Sequence, residues 1–170
     1  MLEPQVRLRK MLKNSIYIIV FSLFISCEFA DNFTMKKRMP TSRWHRDSIA
    51  CFKTTFSDSV MPYNMYININ NIEDYNYSNL FVIAEMVFPN GKTYRDTLEY
   101  EMTTPNGNFL GTGRNVKRNK LWYKEQFVFE ELGEYTFKVE HAMRKNGQIN
   151  GLVSLEGITE VGFEIEKIED

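Results

Sequence analysis

Between Thr93 and Met102 the chain alternates residue by residue. Tyr94, Asp96, Leu98, Tyr100 and Met102 fall on one face; Thr93, Arg95, Thr97, Glu99 and Glu101 fall on the other. A two-residue period is that of a strand with one face covered and one wet, and no helix face reproduces it. The same rhythm recurs in Tyr63, Met65, Ile67 and Ile69, in Tyr135, Phe137 and Val139, and in Val161, Phe163 and Ile165. Leu80 to Phe88 is apolar at nearly every position, which predicts a central strand covered on both sides. Ile49 to Phe56 and Lys120 to Phe129 are also strand-like, rich in aromatic and β-branched residues. Pro89-Asn90-Gly91 marks a hairpin, because Asn-Gly accepts positive φ cheaply. Leu132-Gly133, Asn146-Gly147 and Asn150-Gly151 mark further turns, and Thr104 to Arg118 is a Gly/Asn-rich loop. About seven strands at this spacing predict an all-β, immunoglobulin-like antiparallel β-sandwich. Gly133-Glu-Tyr135-Thr-Phe137 resembles the start of strand F in such domains. Tyr135 is then either ordinary core or a corner residue whose hydroxyl bonds backbone just upstream.

The N-terminal segment follows a different logic. After Arg7, Arg9, Lys10 and Lys13 come eleven uncharged residues, Ser15 to Ile25, ending in Ser26-Cys27. That is the length of a signal-peptide apolar region, against the roughly 20 residues a membrane span needs. The residues before Cys27 resemble a lipobox, with Phe24 standing where Leu is usual; Met11 is an alternative start. The expected organisation is a lipoprotein signal peptide over 1–26, a lipidated Cys27 and extended tether over 27–43, and a β-sandwich domain over 44–170. From Cys27 onward there are 17 basic and 21 acidic residues, so the exported part is mildly acidic. With no basic stripe, nucleic acid is an unsuitable partner.

The search for chemistry returns little. With Cys27 acylated, Cys51 has no disulfide partner and is expected to be a small buried hydrophobe. His45 and His141 lack metal-ligand spacing, and His141 is expected to pack at a strand end. Gly111-Thr-Gly113 has Val116 where a dinucleotide fingerprint needs its third glycine, so it is a turn. Asn68, Asn70, Asn71, Asp74 and Asn76 offer oxygen ligands but not the spacing of a calcium loop. No catalytic residue, cofactor site or metal site is expected, and the chain is expected not to be an enzyme.

Several blocks in order carry a family resemblance. Met61-Pro-Tyr-Asn-Met-Tyr-Ile-Asn-Ile-Asn-Asn71, Tyr77-Ser-Asn-Leu-Phe81, Phe88-Pro-Asn-Gly-Lys-Thr93 and Asp96-Thr-Leu-Glu-Tyr-Glu-Met102 are among them. Leu110-Gly-Thr-Gly113, Lys120-Leu-Trp-Tyr-Lys124, His141-Ala-Met-Arg-Lys-Asn-Gly147 and Ser154-Leu-Glu-Gly-Ile-Thr-Glu-Val-Gly-Phe163 complete the set. Together with the signal ending in Ser26-Cys27, they resemble the gliding-motility lipoprotein GldH family of Bacteroidetes. The resemblance implies a non-enzymatic envelope protein, lipid-anchored to a membrane (the outer membrane, facing the periplasm). Its expected partners are other gliding and type IX secretion proteins. The alternative is a carbohydrate-binding sandwich using Trp122 and Tyr123, or Tyr75 and Tyr77, as a stacking platform. The phylum also implies O-glycosylation at Asp, then Ser or Thr, then an aliphatic residue. Ser59 is the first candidate, Ser48 the second and Thr97 the third.

Overall fold

The computed structural model describes residues 32–57 and 61–168. Ten strands form in this order: β1 (Phe33–Arg38), β2 (Arg43–His45), β3 (Ala50–Phe56), β4 (Pro62–Asn71), β5 (Asn79–Val87), β6 (Thr93–Glu101), β7 (Lys117–Val128), β8 (Gly133–His141), β9 (Ser154–Glu156) and β10 (Ile158–Lys167). Two four-stranded antiparallel sheets result, ordered β1-β10-β4-β7 and β3-β8-β5-β6, with β2-β9 as a small third ladder. The all-β sandwich expected from the alternation is what forms.

The wiring is nested. β1 pairs with β10, β2 with β9, β3 with β8, β4 with β7, and β5 with β6. The described chain is thus one long antiparallel ribbon, doubled at the Asn90-Gly91 turn and then rolled so that β4 meets β10 and β5 meets β8. That is the connection order of a jelly roll. Likeness to an immunoglobulin domain lies in the two packed sheets and in Tyr135. Its ring is fully buried, and its hydroxyl donates to the Glu131 carbonyl at 2.9 Å, four residues upstream. Tyr135 is core and corner at once.

The inward faces are those the alternation predicts. Tyr63, Met65, Ile67 and Ile69 of β4, Leu80, Val82, Ala84 and Met86 of β5, and Val161, Phe163 and Ile165 of β10 are buried. Around Phe137 the packing is aromatic, with its ring stacked on Phe163 at 4.4 Å. The outer face of β5 is half-buried rather than covered: Glu85 lies there, paired with Lys138 and Arg95.

Two further expectations are corrected. The second half of the stretch expected to be tether is folded, since Phe33–Arg38 pairs along β10, Met39 is buried, and the compact unit starts at Asn32. Cys51 is exposed, not buried. The inward residues of β3 are Ala50, Phe52 and Phe56, and the period of two turns Cys51 to the other face.

Candidate functional site

Cys27 and Ser59 lie outside the described residues. Ser48 is half-buried in the turn before β3, where its amide donates to the His45 carbonyl and its own carbonyl accepts from the Trp44 indole. Thr97 is exposed on β6, the edge of its sheet. Its neighbour Asp96 is held by the Lys124 ammonium at 2.8 Å and by the Tyr123 hydroxyl. Ser48 and Thr97 belong to different parts of the fold and form no common site.

The asparagines do not converge. Asn68 and Asn70 donate across the sheet to Glu164 and Glu160, whereas Asn71 points inward and bonds Asn119. Among the described residues no group of three or more His, Cys, Asp or Glu side chains is arranged to hold a metal. Glu164 shows what these ladders do to charge: burial would raise its pKa, but the Asn68 amide and the Lys120 ammonium outweigh burial and hold it below the usual carboxylate range.

Neither aromatic pair makes a flat platform. Trp122 is exposed and leans on Tyr66, but Tyr123, one residue on, faces the core. Tyr75 is buried, with its hydroxyl donated to the Asn79 carbonyl at 2.6 Å, and Tyr77 is half-buried against it. Strand alternation turns Tyr123 away from Trp122 in β7, whereas Tyr75 is drawn inward in the loop between β4 and β5 by its bond to Asn79.

His141 closes β8 in a dry setting. It is buried, edge-on to the fully buried Trp44 at 5.4 Å, and neither ring nitrogen has a well-aligned hydrogen-bond partner among the described residues. Burial pushes its pKa down; the nearby Trp44 backbone offsets this in part, while His45 and Arg46 add to it.

A cleft opens beside it. β5 and β8 stay paired as far as Val82 and His141, then diverge. The gap has a volume of about 740 Å³, with residues 76–79 on one wall and residues 143–148 on the other. The first wall is fixed by the Tyr75 hydroxyl and by the Met102 amide, which donates to the Ser78 carbonyl. Gly157 braces the same loop: it has φ of +80°, and a Cβ there would collide with the Tyr75 backbone. The second wall is a short excursion closed by the Arg144–Gly151 bridge and the Leu152 amide on the Met143 carbonyl. No single segment signals this site, because its walls lie more than sixty residues apart in sequence.

Comparison with known proteins gives a consistent answer. Residues 31–165 match the model of the GldH lipoprotein family. A protein of Christiangramia forsetii named gliding motility lipoprotein GldH homolog is 48% identical over 164 residues, covering 92% of this chain and 97% of its own. The gliding motility lipoprotein GldH of Flavobacterium johnsoniae is 39% identical over 158 residues, covering 92% and 98%. Among solved structures, a chain of infectious bursal disease virus, Gx strain, overlaps with a TM-score of 0.41 at 11% identity, covering 81% of this chain and 32% of that one. That overlap is too loose to bear on fold or function.

Proposed function

The chain belongs to the GldH lipoprotein family, and from that premise we propose that it is a lipid-anchored, non-catalytic accessory protein of the gliding and type IX secretion apparatus. The observation that carries this reading is the match to gliding motility lipoproteins along 92% of the chain. In this reading Cys27 bears the acyl chains, two of them, since one alone binds a membrane only marginally. The folded unit starts at Asn32, so four residues, Glu28 to Asp31, separate it from Cys27. Even fully extended they reach less than about 20 Å, which keeps the domain close to its membrane. The outer membrane, with the domain in the periplasm, is the proposed location, and envelope proteins of the same apparatus are the partners. Ser59 remains the proposed first site of O-glycosylation, ahead of Ser48 and Thr97; the intact mass of the native protein reads all three.

The test is to express the parent and Cys27→Ala in cells fed a clickable fatty acid, and to recover each by a C-terminal tag after cross-linking. The parent should carry the label and bring down gliding and secretion components. Equal labelling of both chains would end the lipid assignment, and a labelled parent recovered without those components would end the accessory role.

A further inference from the structure

We propose that the cleft between residues 76–79 and 143–148 binds a carboxylate-bearing oligosaccharide, with Arg144 and Lys145 on the carboxylate and amide side chains on the sugar hydroxyls. The volume of about 740 Å³ is that of a small-ligand site. Its lining decides the class. Asn76, Asn79, Asn146 and Gln148 supply four primary amides. Asn76 and Asn79 each spend one N–H, on the Asp74 carbonyl and the Glu99 carboxylate, and the N–H and carbonyl groups left over donate and accept as ring hydroxyls require. The half-buried Tyr77 ring, held edge-on by Tyr75, gives a face for a sugar ring.

The charge follows from the lining. On the strands Lys36, Lys53, Lys120, Lys124, Lys138 and Arg95 pair with carboxylates and Lys37 and Lys117 with backbone carbonyls, while Arg38 and Arg118, which have no acid partner among the described residues, lie outside the cleft. Arg144 and Lys145 are exposed, have no acid partner among the described residues, and share a lining that contains no carboxylate. A neighbouring trough of about 480 Å³ continues from Ser78 and Asn79 and carries Glu99 and Glu101. An anionic group is therefore favoured at the Arg144 end and repelled at the other, which orients the chain lying across them. One backbone donor inside the cleft is also weakly served: the Phe81 amide meets only the Met143 sulfur, at 3.2 Å. A thioether is a poor acceptor, so a ligand oxygen would improve on it. An acidic peptide would satisfy the two cations and, through its backbone, the amides as well; the Tyr77 face is what favours a sugar ring over it.

The test is calorimetric titration of the purified full chain in detergent micelles with polygalacturonate, alginate and hyaluronate, and with dextran and poly-glutamate as comparators. At least one uronate polymer should bind, with dextran silent and poly-glutamate weaker by about tenfold or more. Arg144→Gln combined with Lys145→Gln should weaken uronate binding at least about tenfold. Tyr77→Ala should weaken it severalfold. Lys53→Gln, at the opposite end of the sandwich, should change nothing. The exposed Arg144, Lys145 and Lys53 variants should melt as the parent does, whereas Tyr77→Ala also loses packing on Tyr75, should melt lower, and is titrated well below its own melting temperature. Three results overturn the proposal: no uronate binds, poly-glutamate binds as well as the best uronate, or the Arg144/Lys145 variant binds as the parent does.

Discussion

The two ends of the sandwich are built from different materials. At the end where Phe33 enters, aromatic rings interlock: Phe56 stacks on Phe129 at 3.7 Å, and Tyr63, Phe127 and Tyr135 meet the same Phe129 ring edge-on. Phe88 joins through Tyr135, and Phe33 through Phe56. At the other end only two ring contacts, Trp44 on His141 and Tyr77 on Tyr75, stand beside an open polar cleft among the described residues. Loops explain the difference. The first end includes the short Asn90-Gly91 turn and the few residues after β7, whereas the second carries the long excursions after β6 and β8. Rings pack where connections are short; longer connections leave room for a site.

The contrast can be broken at its strongest point. Phe129→Ala removes the ring at the centre of the aromatic cluster and should destabilise the domain by about 3–5 kcal/mol, read by thermal or denaturant melts. An effect under about 1 kcal/mol would mean that this end is not the stability reserve described here.

At the open end the expected effect is smaller and depends on pH. His141 is buried with its pKa below the ordinary value, so the unfolded chain binds a proton that the folded chain does not. Its contribution is complete above the unfolded pKa of about 6.5 and is lost as pH falls toward the folded pKa. The slope cannot exceed about 1.4 kcal/mol per pH unit for one proton. Melting temperatures between pH 7 and 5 should fall more steeply for the parent than for His141→Phe. Parallel curves would remove His141 as the cause. Glu164 acts further down, where protonation releases its bonds to Asn68 and Lys120. The smallest effect tests one bond at the aromatic end: Tyr135→Phe keeps the ring but loses the bond to Glu131, for about 0.5–1.5 kcal/mol. No change would leave the ring as the whole of its role.

What was legible in the sequence follows from burial. β4, β8 and β10 each have one dry face, so their alternation gave the register correctly; β6 alternates between a half-buried face (Asp96, Leu98, Tyr100) and a wet one, with Tyr94 exposed at its start. β1 has no such face: Met35 alone is half-buried in Phe33–Arg38, and pairing with a strand more than a hundred residues away makes it a strand. Periodicity is silent on an edge strand of that kind. β2 and β9, at three residues each, are too short for any period to register. Cys51 was legible but misjudged, since Phe52 and Phe56 define the inward face of β3 and leave Cys51 outside. The cleft was beyond reach: its walls are two Asn-rich turns, and only the departure of β8 from β5 places them opposite each other.

The pairing of β1 with β10 also sets how the domain bears tension. Six residue pairs, from Phe33–Ile165 to Arg38–Glu160, lie along β1. A pull that enters at Phe33 and is resisted at the cleft end runs along the strand axis. All six pairs are then loaded together in shear, and they must slip as a unit before the strand detaches. A sideways pull would instead open them one by one, like a zip. A protein held by its N-terminus and gripped at its opposite end would meet load in the stronger of the two directions.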